Sequence, residues 1–139
     1  RLARTIVAIA LAAAVFVLLT GCPPAESPME KTDWRLVGWS VSSVDPADVE
    51  ITAAFADGQL SGSGGINRYN GAYTLGPGNA FSTGPLAATK MAGPEPAMRA
   101  EAAYFALLGQ AASYKCSKQR LTLYDKGGNE SLIFEAVKQ

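Results

Sequence analysis

The sequence predicts a mostly β, α+β domain in which a curled antiparallel sheet or partly open barrel packs against one helix. Three observations carry that expectation. Short apolar–polar alternations begin at Trp34, turn-forming Gly, Pro, Asn and Asp separate them, and only residues 97–110 depart from the two-residue period. Short strands with short connections pair with their sequence neighbours, and an antiparallel sheet hides its edges by curling or closing.

The elements follow in order. Residues 34–39 alternate large apolar with small or polar side chains, and 49–56 place Ile51, Ala53 and Phe55 on one face. Asp57-Gly58 suits a tight turn with positive φ, so 59–64 fold back as the second arm of a hairpin. Residues 69–75 form a further strand closed by Gly76-Pro77-Gly78-Asn79, and 81–89 are extended but interrupted by Gly84-Pro85. Residues 97–110 are rich in the helix formers Ala, Leu, Met and Glu, with Met98, Ala102, Phe105 and Leu108 at helical spacing as the apolar stripe. Pro94 and Pro96 mark the helix start and Gly109 its stop. Strands at 113–117, 120–124 and 131–137 complete the domain, the last with Leu132, Phe134 and Ala136 on one face. The aromatics Trp34, Trp39, Tyr69, Tyr73, Phe81 and Tyr104 are expected to fill the core, or else to line a pocket in the curled sheet.

The first residues differ in kind. Arg1 and Arg4 precede an almost unbroken apolar run over 6–19, the pattern of a signal peptide. The run is short of the roughly 20 residues a spanning helix needs. It ends in Leu19-Thr20-Gly21-Cys22, which resembles the bacterial lipobox, where the Cys thiol is acylated and becomes the first mature residue. The expected organisation is a lipoprotein signal peptide at 1–21, a lipid-anchored tether at 22–32 and one domain at 33–139. Arg1 is not an initiator Met, so a short extension ahead of it is expected. A Pro-rich tether of that length reaches roughly 30 Å. Anchoring through Cys22 implies export to the cell envelope, at the outer membrane facing the periplasm if the cell is Gram-negative.

Without the leader's two arginines, 10 basic residues face 12 acidic ones, a net charge of −2. No basic stripe suggests a nucleic-acid partner. The chain has no His and only two Cys, so with Cys22 committed to lipid Cys116 has no intramolecular partner. Cys116 lies two residues from Tyr114 in a predicted strand and reads as a core-facing structural thiol. The cluster Ser61-Gly62-Ser63-Gly64-Gly65-Ile66-Asn67 lacks the third glycine of a dinucleotide fingerprint and the Gly-Lys-Ser/Thr of a phosphate loop. Its glycines instead allow positive φ or a close crossing of backbones. No nucleophile has a recognisable base, the carboxylates at Asp57, Glu95, Asp125 and Glu130 read as solvated, and neither Cys-His nor calcium-loop spacing occurs. The expectation is no catalytic residue, no metal and no cofactor. Glu101 is the exception to watch, because it lies beside the apolar stripe and could turn inward to cap backbone groups or pair with Arg68.

The string Gly62-Ser63-Gly64-Gly65-Ile66-Asn67-Arg68-Tyr69-Asn70-Gly71-Ala72-Tyr73, then Thr89-Lys90-Met91-Ala92-Gly93 and a helical Glu101, resembles the META/HslJ family. Trp34-Arg35-Leu36 and Leu121-Thr122-Leu123-Tyr124-Asp125 extend the likeness over 32–137. The resemblance marks Gly64, Gly65, Asn67, Arg68, Tyr69, Gly71, Tyr73, Thr89, Met91 and Glu101 as motif residues with a structural or partner-binding role. It implies a small curled sheet with a packed helix and no catalytic residues. It also implies an envelope lipoprotein, with links in some members to heat induction or novobiocin tolerance. Family members commonly carry Cys at the positions of Ile66 and Gly93, so a pairing in relatives would be absent here. The function expected is a monomeric, non-catalytic, membrane-anchored module that binds an envelope partner or supports stress tolerance. The alternatives are an inhibitor that plugs a hydrolase with loop 67–70, or a carrier of a small apolar ligand.

Overall fold

The structure, a computed structural model, describes residues 29–41 and 43–138; the expected leader and Cys22 lie outside the described residues. Among the described residues nine strands and one α-helix follow one another: β1 Asp33–Trp39, β2 Thr52–Ala56, β3 Gln59–Ser63, β4 Arg68–Gly76, β5 Ala80–Thr83, β6 Ala87–Ala88, α1 Glu95–Gln110, β7 Ser113–Cys116, β8 Arg120–Tyr124 and β9 Glu130–Ala136. The β2–β3 turn is the one the sequence predicts, with Asp57 at φ 50° and Gly58 at φ 75°.

The sheet order is β3-β2-β1-β9-β8-β7-β5-β4, and β4 returns to pair with β3, so eight antiparallel strands form a closed barrel. The expected curled or partly open sheet is corrected on this point. Closure depends on two non-local pairings that no local turn signal announces, β1 with β9 and β5 with β7. β5 meets β7 through Ala80 opposite Ser113, and the Phe81 amide donates to the Ala112 carbonyl at 3.0 Å. β6 pairs with Tyr69 and Asn70 of β4, whereas β5 pairs with residues 73–76 of the same strand. The two are one strand path broken at Gly84-Pro85, where the proline has no N–H to give.

Alternation along the strands fills the barrel. Trp34, Leu36, Ile51, Phe55, Leu60, Leu121, Leu123, Leu132 and Phe134 are all buried, and Phe55 packs edge-on against Tyr73 and Phe81. Of the named aromatics only Trp39 stays half-buried, its indole N–H donating to the Val44 carbonyl.

Two expectations shift. The helix begins two residues earlier than expected and runs through Gly109, and its buried face is Ala100, Glu101, Tyr104 and Leu108. Met98 is 46% exposed, Ala102 is exposed and Phe105 is half-buried, so the helix is rotated from the expected stripe. The cause is Glu101, which turns inward to reach backbone amides. The tether gives way to the domain before Thr32: Met29 is fully buried, its carbonyl accepts from the Trp34 indole at 3.0 Å, and Glu30 bridges Phe55.

Candidate functional site

The residues of the sequence motif converge where the β3–β4 turn meets α1. The turn has few internal hydrogen bonds of its own, the Gly64 amide to the Asn67 carbonyl at 2.8 Å and the Gly65 amide to Ser63 Oγ. Glu101 supplies the rest. Its Oε2 accepts from the Ile66 and Asn67 amides at 3.1 and 2.7 Å, and its Oε1 accepts from Asn67 Nδ2 at 2.6 Å. A carboxylate receiving backbone N–H groups is a strong acceptor, which makes burying it tolerable. Among the described residues it forms no ion pair with Arg68, so the inward capping expected for Glu101 occurs and the pairing does not.

Asn67 joins this turn to the segment before the helix. Its Oδ1 accepts from Thr89 Oγ1 at 2.9 Å and the Met91 amide at 2.7 Å, while Nδ2 also donates to the Met91 carbonyl at 3.2 Å. Both amide protons and both carbonyl lone pairs are thereby used. Thr89 is tied in turn to Arg68, accepting from its amide at 3.2 Å and donating its own amide to the Arg68 carbonyl at 3.0 Å. Met91 enters through its backbone alone; its side chain is 59% exposed.

The glycines make room for these contacts. A Cβ on Gly64 would lie 2.9 Å from Glu101 and Phe105, and Gly65 has φ +116°, a conformation strained for other residues. Gly71 faces Leu86, whose side chain would be 2.7 Å from a Cβ there. Ile66 and Gly93 are in contact as a complementary pair, for a Cβ on Gly93 would sit 2.6 Å from Ile66 Cδ1. The larger side chain at 66 fills the space that 93 leaves empty.

Below the turn, Tyr69 donates its hydroxyl proton to the Thr52 carbonyl at 2.8 Å, which leaves Tyr104 as donor in the 2.6 Å bond between the two hydroxyls. Burial pushes both phenols well above their ordinary ionisation range, and Tyr104 is raised further by facing Tyr69. Tyr73 lies apart, donating to Glu30 Oε1 at 2.7 Å, and is raised by burial and then by that carboxylate. It fastens the start of the domain to β4, a role nothing in the alternation announced.

Arg68 and Asn70 project outward and line a shallow groove of about 440 Å³ with Ser61, Gly62, Ala88 and Thr89. Cys116 is half-buried on the far wall, and burial pushes its thiol up to about 11. Among the described residues no buried side-chain polar atom lacks a partner, and no group of His, Cys, Asp or Glu is placed to hold a metal ion. Thus seven of the ten motif residues, Gly64, Gly65, Asn67, Tyr69, Thr89, Met91 and Glu101, form one interlocked unit. Arg68 only borders it through its backbone, and Gly71 and Tyr73 lie beyond it. Thr52 and Phe105 complete the unit without having been marked in the sequence; only their later neighbours in space identify them.

A protein from Burkholderia xenovorans, solved by NMR, is similar to this chain at 27% identity with a TM-score of 0.65, over 85% of this chain and 93% of that one. A DUF4847 family protein from Bacteroides vulgatus, at 16% identity and a TM-score of 0.59 over 80% of this chain and 96% of that one, shows the same fold. No match is found among curated proteins. The META domain matches residues 27–138, a span that holds the whole barrel, the helix and the interlocked turn, and on that match the chain belongs to the META domain family.

Proposed function

We propose that this protein is a cell-envelope lipoprotein, acylated at Cys22, whose META domain is a rigid, non-catalytic module that binds an envelope partner and supports tolerance of envelope stress. One observation carries the reading: the motif is spent on itself. Every hydrogen-bonding group of the Asn67 side chain is satisfied internally, and Glu101 is committed to the turn. Neither is free to act as an acid, base or ligand, so the motif serves as a brace that fixes the loops around it.

The anchor and the fold set the geometry. Met29 is already packed in the domain only seven residues after Cys22, so a tether between them reaches at most about 22 Å at roughly 3.1 Å per residue. The inhibitor alternative is less favoured because the expected loop 67–70 is corrected to the start of β4, paired with β3 and with Asn67 and Tyr69 buried, which leaves Arg68 and Asn70 to reach a cleft. The carrier alternative is less favoured because side chains occupy the barrel interior.

The test pairs fractionation with capture in cells. Labelled palmitate is expected on the wild type and not on Cys22→Ala, which a high-salt wash should release into the soluble fraction. Crosslinking in the envelope should yield a discrete partner that is lost in Arg68→Glu/Asn70→Lys. Absence of palmitate from the wild type would overturn the anchor, and turnover of an envelope substrate by the purified domain would overturn the non-catalytic reading.

A further inference from the structure

The two ends of the barrel differ in charge. The start of β1, the end of β9, the β2–β3 turn and the β7–β8 turn share one end, where the Val137 amide donates to the Asp33 carbonyl and the Ala136 amide to the Gln119 carbonyl. The opposite end carries the β3–β4 turn, the 40–51 connection and the β8–β9 turn, with Asp45, Asp48, Glu50, Asp125 and Glu130 against Arg68 and Lys126. At the first end a groove of about 650 Å³ runs between residues 117–120 and 135–138, lined by Lys118, Arg120 and Lys138. A second groove adjoins it across Glu135 and Lys138 and adds Arg35.

The arrangement is ordered by register. Arg35 and Arg120 both stand opposite Glu135 on the flanking strands, so two arginines share one carboxylate. Arg120 takes it, at 3.5 Å, and both partners remain more than half exposed. The other carboxylates at this end are Glu30, which Tyr73 engages, Asp33 and Asp57. The two grooves themselves hold four cations and one carboxylate, in a mature chain that is acidic overall. Val137, 45% exposed, lies among these cations.

We infer that this face rests on an anionic lipid surface, with Arg35, Lys118, Arg120 and Lys138 meeting headgroup phosphates and Val137 against the interface. The occupant follows from where the chain leads: β1 starts at this end, so the anchor proposed at Cys22 would hold this end of the barrel close to the membrane, on a tether that reaches about 22 Å to Met29. The orientation rests on that anchor reading, whereas the affinity of the face for anionic lipid does not. Basic side chains near such a surface each raise partitioning about fivefold at physiological ionic strength. The acidic loop end would then point away from the membrane, toward partners.

The test uses unacylated residues 22–139, which contain the barrel and helix entire, so lipidation cannot contribute. Sedimentation with phosphatidylcholine vesicles should show little binding, and vesicles containing phosphatidylglycerol should retain the protein in a salt-sensitive way. Lys118→Glu/Lys138→Glu should lower that partitioning at least about 25-fold. Lys90→Glu/Lys126→Glu, an equal change in net charge at the other end, should leave it within about threefold, with the thermal melts of both variants matching the parent. Equal losses in the two variants, binding to both vesicle types alike, or none to either, would overturn the proposal. Binding retained by this face together with no palmitate on the full chain in cells would sink the anchor alone.

Discussion

The β1–β9–β8 wall and the β3–β4 turn belong to one barrel but are held by opposite means. The wall is a run of antiparallel pairs, Leu36 opposite Phe134 and Leu121 opposite Phe134, with one register shift between Leu36 and Gly38 and another between Leu123 and Tyr124; its fully or almost fully buried side chains follow the two-residue alternation to the interior. The turn has no such period. It is shaped by a carboxylate from a helix 34 residues away in sequence and by an asparagine whose partners lie 22 and 24 residues on. Apolar packing tolerates small adjustments, whereas a polar unit with every partner filled loses its whole arrangement when one member goes.

The largest expected effect is in the wall. Phe134→Ala removes a fully buried ring that touches the Tyr104 ring at 6.3 Å between centroids and is expected to cost about 3–5 kcal/mol of unfolding free energy in urea titration. The loss should spread over the whole domain, as one cooperative transition with an unchanged slope.

The turn should answer differently. Glu101→Ala leaves the Ile66 and Asn67 amides and Asn67 Nδ2 without their acceptor in a buried site, an expected loss of about 3 kcal/mol. Because the two side chains form one unit, Asn67→Ala added to Glu101→Ala should cost less than the sum of the singles, with a coupling of about 1–3 kcal/mol. Leu132→Ala, which shares no hydrogen-bonding partner with Glu101, should add to it within about 0.5 kcal/mol. Additive behaviour for Asn67 and Glu101 would mean that the turn is braced by packing, as the wall is.

This contrast also explains how much of the molecule was legible in the sequence. Ile51, Ala53 and Phe55 face inward as their alternation says, and the eight strand candidates lie close to where turn residues bounded them, the interrupted 81–89 segment supplying both β5 and β6. The helix face was misread because periodicity ranks Met98 and Ala102 above Glu101, although the carboxylate has backbone amides to satisfy and the methionine has none. Barrel closure has no local signature, because it depends on β1 finding β9 and on Ala80 finding Ser113 across the helix. Met29 escaped because a lone apolar residue beside prolines carries no pattern. The motif residues were recognisable by resemblance; that they serve one another required their distances.

The smallest of these effects lies where the two regions meet, at the Tyr69–Tyr104 hydroxyl pair. Both phenols ionise in the folded protein only well above their ordinary range, chiefly because burial disfavours the phenolate. An unfolded tyrosine releases its proton near about pH 10. Above that pH the unfolded chain therefore binds fewer protons than the native one, so stability from these two residues is complete below about pH 9 and falls as pH rises. The expected loss is about 2 kcal/mol for the pair at about pH 10.5. Tyr69→Phe should remove the pair's shared bond and soften that slope, while tyrosinate absorbance from residues 69 and 104 should emerge only together with the loss of secondary structure. Absorbance that develops fully in the folded protein would place these hydroxyls in contact with solvent and dissolve the boundary between the polar turn and the apolar wall.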